Sequence, residues 1–138
     1  MHLKRNLLIL TLFAFGVAAC AGTSISDPGG MSLELKLEQK GYLIGEPVDR
    51  IHNYRLNGWN DVDRYNVIIR TGPSRRYLVT LKNPCTGLTS AETIAFKTTT
   101  GSLTKFDSLQ VRGSPGFVER CLIDSLHKLE KIEKAAVE

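Results

Sequence analysis

The sequence predicts a mainly β domain with at most a small helical part: an antiparallel sheet or partly closed barrel with one disulfide and a short C-terminal helix. Three observations carry this prediction. Apolar residues alternate on both sides of a Gly-Pro turn between Tyr65 and Leu81, and shorter β-rich runs follow it at turn-separated intervals. Two cysteines, Cys85 and Cys121, stand far apart in a chain that opens with an export signal.

Residues Met1 to Asn6 carry Lys4 and Arg5 and no acid, and Leu7 to Ala19 read LLILTLFAFGVAA without a charge. A basic start followed by 13 apolar residues is a secretory signal. It is too short to cross a hydrocarbon core of roughly 30 Å as a helix. Val17-Ala18-Ala19-Cys20 resembles the lipobox of bacterial lipoproteins, in which an apolar and two small residues precede a cysteine that is acylated. An ordinary signal peptide cut near Ala19 or Ala21 is the alternative. The lipoprotein reading divides the chain into a signal at 1–19, a lipidated Cys20 with a tether at 20–31, and one domain at 32–138. By resemblance, Ala21 after the cysteine, rather than Asp, directs the protein to the periplasmic leaflet of the outer membrane; the alternative is a soluble periplasmic protein. Three acyl chains hold a protein firmly where one does not.

Losing the signal removes Lys4 and Arg5, so 16 basic and 14 acidic residues remain and the formal charge falls from +4 to +2. Much of the basicity thus belongs to targeting, and no nucleic-acid function is read from it. The remaining 119 residues suffice for one domain. The small and polar run Ala21 to Met31, with Pro28-Gly29-Gly30, has the composition of a tether that spans about 20 Å by random-coil scaling.

Ser32 to Lys40 alternates Leu33, Leu35 and Leu37, which favours a strand or extended arm, although its Glu and Lys content keeps a helix open. Tyr65, Val67 and Ile69 share one face of a strand, and Tyr77, Val79 and Leu81 share one face of the next. Thr71-Gly72-Pro73-Ser74 joins them as a hairpin. Strands follow at Thr93 to Thr98 and Ser108 to Arg112, with turns at 99–104 and 113–116. The final segment mixes two periods. Cys121 and Ile123 alternate, whereas Leu122, Leu126, Leu129 and Ile132 have helical spacing, with Glu130 four residues before Lys134. A strand from Glu119 to Leu126 passing into a short helix is expected.

Once Cys20 is lipidated, Cys85 and Cys121 are the remaining thiols, and in an oxidising compartment they pair. Their spacing is not that of a Cys-x-x-Cys redox motif. His2 leaves with the signal, and His52 and His127 stand alone, so no metal set and no cofactor site is read.

The stretch from Val48 to about Leu129 looks like a family of small exported proteobacterial proteins known only as a domain of unknown function. The resemblance rests on Ile51, Gly58-Trp59, Asp63, Val67-Ile68-Ile69, Tyr77-Leu78-Val79 with Leu81, Pro84-Cys85, Gly87-Leu88, Ile94, Phe106-Asp107, Cys121-Leu122-Ile123 and Leu126. It implies a small exported domain with one disulfide, often on a lipidated anchor, and no assigned activity. The charged tail from Lys128 to Glu138 departs from the short apolar ending of many members.

No nucleophile elbow, phosphate-binding glycine loop or zinc-hydrolase helix is present. Asp49, Asp61, Asp63 and Asp107 are the acids from which a catalytic pair would come. Asp61 and Asp63 read as a solvated loop after Trp59, and the Arg64-Tyr65 that follows does not continue a calcium loop. Trp59 suits either a core or a stacking surface, and Arg75 and Arg76, with Arg70 before them, suit either soluble surface or an anion. These residues favour a tethered, non-enzymatic binding module with an envelope protein or the cell wall as partner, and a membrane contact through Cys20. A small periplasmic enzyme using an Asp, or a hydrolase inhibitor, is the alternative; the mildly basic charge disfavours an inhibitor of basic lysozymes.

Overall fold

The computed structural model describes residues 30–52, 54–113 and 116–133; the expected signal at 1–19, Cys20 with most of the expected tether, and the tail beyond Glu133 lie outside them. In chain order the elements are α1 (Leu33–Gln39), β1 (Tyr42–Pro47), β2 (Arg50–Ile51), β3 (Leu56–Asp61), β4 (Asn66–Thr71), β5 (Arg75–Leu81), a 3₁₀ turn (Leu88–Ser90), β6 (Ala91–Lys97), β7 (Leu103–Thr104), β8 (Ser108–Gly113) and β9 (Val118–Lys131). All but β2 and β7 form one antiparallel sheet in the order β3-β4-β5-β9-β8-β6, with β1 added to β9. The sheet curls into a half-barrel, as the sequence predicts for its class.

The expected hairpin is present: β4 and β5 pair from Asn66↔Thr80 to Thr71↔Arg75. Gly72, at φ +70°, supplies the left-handed residue of the turn, a conformation that costs a side-chain-bearing residue energy. Alternation then sorts the residues. Val67, Ile69, Tyr77, Val79 and Leu81 point into the main core, and Ile68 and Leu78 point to the outer face.

The longest strand, β9, pairs with β5 along one edge and with β8 and then β1, end to end, along the other. Between Thr80↔Ser125 and Leu81↔Ile123 the register slips, and Asp124 is the extra residue of a bulge. That single insertion inverts the alternation. Cys121 and Ile123 face the main core before it, Leu126 faces the same core after it, and Leu129 turns outward. The helical spacing of Leu122, Leu126 and Leu129 is therefore a strand with a change of parity, and the expected short helix is replaced by strand as far as Lys131. Pairing on both edges consumes the backbone groups that a helix would need.

The Ser32 to Lys40 segment also departs from expectation, because it forms helix α1 rather than a strand. Ser32 caps it by accepting from the Leu35 amide (3.3 Å). A strand would align all three leucines; the helix aligns only Leu33 and Leu37, one turn apart, and leaves Leu35 51% exposed. Those two pack on Ile68, Leu78 and Leu129, with Tyr42, Ile44 and Val62 around them. Burial of each leucine stabilises the contact by about 2 kcal/mol. The sequence reading also passed over β1 and β3.

Asp63 is not in a solvated loop. Its Oδ1 accepts from the Tyr65 amide and Asn66 Nδ2, both at 2.9 Å, and its Oδ2 accepts from Lys36 Nζ of α1 at 2.8 Å. Thr80 Oγ1 donates to Asn66 Oδ1 at 2.9 Å, which ties the network to the first pair of the hairpin. Asp63→Ala leaves these donors unpaired and is expected to cost about 2–3 kcal/mol, whereas Lys36→Met leaves Asp63 with two donors and costs about 1 kcal/mol. Urea unfolding of the two variants checks the order; equal costs would mean that the loop donors carry none of the energy.

Candidate functional site

Cys85, in the loop after β5, and Cys121, in β9, are joined as a disulfide with their Cα atoms 5.8 Å apart, and both are buried. On the chain-entropy account, closing a loop across 36 positions stabilises the fold by about 4 kcal/mol. Glu119 stands two residues before Cys121, on the same side of β9. Its carboxylate accepts from the amides of Thr86 (3.0 Å) and Gly87 (2.7 Å) and from the Thr86 hydroxyl. The loop is thus fastened to β9 twice. The ligand atoms of Cys85, Glu119 and Cys121 converge within 4.8 Å, but the sulfurs are spent on each other and the carboxylate on the loop, so the cluster braces rather than binds.

The expected binding residues separate. Trp59 pairs with Ile69 and is half-buried against the main core. Arg76 lies on the outer face, its guanidinium 5.7 Å from the centre of the Tyr42 ring and donating to the Ser74 carbonyl at 3.3 Å. Arg75 is exposed at the rim of the turn. Arg70 pairs with Arg76 across the hairpin and lays its guanidinium over Gly58, where a Cβ would stand 2.3 Å from its Nη2. The glycine before Trp59 is therefore a seat for an arginine. Trp59 and Arg76 occupy opposite faces of the sheet.

The acids are similarly dispersed. Asp61 ends β3, half-exposed, and Asp63 is held as described above. Buried Asp107 accepts from the Thr104 amide (2.7 Å) and hydroxyl (2.9 Å), closing the turn between β7 and β8. His52 meets Ser102 at 3.3 Å and links the β2 and β7 segments.

One part of the sheet has an outer face that no element among the described residues covers. Direct cross-strand partners share a face, so Thr93, Ala95 and Lys97 of β6 line up with Arg112, Gln110 and Ser108 of β8, and these with Val118, Arg120 and Leu122 of β9. Arg120 Nε donates to Ser108 Oγ across the ladder at 3.1 Å. A shallow hollow of about 260 Å³ lies among Thr93, Ala95, Gln110, Arg112 and Val118. Sequence reading missed this face. The alternation of Leu109 and Val111 with Ser108, Gln110 and Arg112 was the available signal, but only the pairing with β9 places Arg120 beside them.

Residues 3–138 match the profile of DUF6491, a family of unknown function. The chain belongs to this family. No curated protein and no solved structure matches it significantly. Among the described residues of this DUF6491 chain, no helix is long and apolar enough to cross a membrane.

A second clamp joins β1 to β9, where exposed Lys128 donates to the Glu46 carboxylate beside the irregular register at Gly45 and Glu46. The hydrogen bond and charge of Lys128 hold the Glu46 carboxyl below its ordinary value, and those of Glu46 raise Lys128. Glu46 thus supports the fold above its ordinary pKa, and that support is lost as pH falls through the lowered value. Lys128 supports it below its ordinary pKa and loses it as pH rises through the raised one. An exposed pair is also screened by salt. In a carboxyl NMR titration, Lys128→Met is expected to return Glu46 to its ordinary value; an unmoved titration would show that the two do not interact. Glu119→Ala is expected to speed hydrogen exchange at the Thr86 and Gly87 amides by tenfold or more while β4 and β5 amides keep their protection. Unchanged rates at those two amides would remove Glu119 as the brace.

Proposed function

We propose that the protein is a cell-envelope lipoprotein, anchored through Cys20 and acting as a non-enzymatic binding module that presents a preformed sheet face. The observation that carries this reading is the uncovered outer face of β6, β8 and β9, whose polar and cationic side chains stand on strands fixed by pairing and by the disulfide. Val17-Ala18-Ala19-Cys20 after a basic start and an apolar run supports the anchor, and Ala21 supports the periplasmic leaflet of the outer membrane.

The use of the carboxylates supports a non-enzymatic role. A general acid or base must reach a substrate proton at about 2.6–3.2 Å. Asp63 and Asp107 instead turn their oxygens to amides and side chains of their own loops and to Lys36. The hollow on the outer face is lined by Thr93, Gln110 and Arg112 among apolar neighbours, groups that hydrogen-bond and pair with charge rather than shuttle protons at neutral pH.

The intact mass of the native protein extracted from membranes, before and after reduction with alkylation, tests the anchor. The expected mass is that of residues 20–138 plus three acyl chains and a glycerol, with two alkylations appearing only after reduction. An unlipidated mass that starts elsewhere overturns the anchor. Hydrolysis of wall or lipid polymers by the purified protein, abolished by Asp61→Asn, overturns the non-enzymatic role.

A further inference from the structure

We propose that the uncovered face of β6, β8 and β9 is a second membrane contact, which lies on an anionic lipid surface. The inference rests on the lipoprotein reading for the membrane it meets, and it names the partner of the binding face.

The charge on this face is of one sign. Lys97, Arg112 and Arg120 occupy three of its nine cross-strand positions, and no carboxylate occupies any. Of the acids in these strands, Glu119 turns its carboxylate to the Thr86 and Gly87 amides on the opposite side, and Glu92 and Asp124 stand at irregularities of register beyond the ladder's ends. None of the three cations pairs with a carboxylate among the described residues. They are available to lipid phosphates, each such charge raising adsorption on an anionic surface about fivefold.

The apolar groups are of the interfacial kind. Val118 and Leu122 stand on the same face, 51% and 44% exposed, between and beside the arginines. Phe106, 86% exposed, stands at the Ser108 end of the β8–β9 ladder, and Lys105 Nζ lies 5.5 Å from the centre of its ring. Exposed aromatic and aliphatic groups interleaved with Arg and Lys are what a surface needs to settle at the boundary of headgroups and acyl chains. A protein partner of comparable affinity would be expected to find a more apolar, less charged centre to its interface.

Proximity makes weak adsorption sufficient. Eleven residues separate Cys20 from Ser32, so even a fully extended chain keeps the domain within about 40 Å of its anchor. At that effective concentration a modest intrinsic affinity holds the face down.

Cys20→Ser protein carrying no lipid isolates the face from the anchor. Its sedimentation with phosphatidylcholine vesicles is compared with and without phosphatidylglycerol. Binding at least tenfold stronger to the phosphatidylglycerol vesicles, weakened by salt, is expected. Arg112→Gln with Arg120→Gln is expected to reduce it about 30-fold, Leu122→Ser about fivefold, and Lys40→Gln, at the C-terminal cap of α1, not at all. Equal partitioning into both vesicle types, or an effect of Lys40→Gln matching that of the arginine pair, overturns the proposal and returns the face to a protein or wall partner. An unlipidated native mass together with retained phosphatidylglycerol binding rejects the anchor alone; a lipidated native mass with no vesicle binding by the Cys20→Ser protein rejects the face alone.

Discussion

The pairing of β9 is the constraint on which the rest of this structure depends. One strand of 14 residues supplies partners to β8, β5 and β1, so the two parts of the sheet share a single spine. The bulge at Asp124 lets that spine serve two cores. Without the extra residue Leu126 would face outward, Leu129 inward, and α1 would lose one of its three sheet-side contacts. The disulfide reinforces the same strand, because Cys121 ties β9 to the loop after β5 and Glu119 holds the next two amides of that loop. Stabilisation is therefore concentrated where the chain crosses itself, which suits a domain with a modest core.

Buried Asp63 has a related role. A small sheet capped by a seven-residue helix needs something to fix where that helix sits, since α1 is shorter than an isolated helix that holds itself together. The leucine contacts are non-directional and permit sliding. The Lys36–Asp63 contact does not, because Asp63 is itself held by Tyr65 and Asn66 at one end of the hairpin. Position comes from the polar network and most of the adhesion from Leu33 and Leu37.

Much of the β4–β5 hairpin, β6 and β8 was legible in the sequence, because strict alternation flanked by Gly, Pro and Thr has few other solutions. The disulfide was legible from the expected export signal and the count of cysteines. Other features were hidden for physical reasons. The C-terminal strand imitated a helix because the bulge shifted its parity, and no local signal marks Asp124 as the extra residue. At α1 the local signals competed: Leu33, Leu35 and Leu37 alternate, and only the Ser32 cap with the i to i+4 pair Leu33 and Leu37 separates a helix from a strand. β1 and β3 carry glycine and proline in unremarkable sequence, and exist because β9 and β4 offer them unpaired edges. The outer face was invisible for another reason, since a surface made by three strands distant in sequence has no linear motif.

The parity change also decides which surface is left for function. Before Asp124 the outward residues of β9 are Val118, Arg120 and Leu122, set beside β8 and β6; after it the outward side carries Leu129, beneath α1. The helix sits where the outward side chains are apolar on β4, β5, β9 and β1, and it stops short of the region where they turn cationic and polar. One inserted residue thus divides the outer face into a part that stabilises and a part that stays available. A face displayed on a rigid, cross-linked sheet loses little conformational freedom on contact, so its few exposed cations and apolar groups can hold a surface without paying for order first. That economy favours a broad, shallow contact over an enclosed pocket, and the shallow hollow beside Arg112 is of that kind.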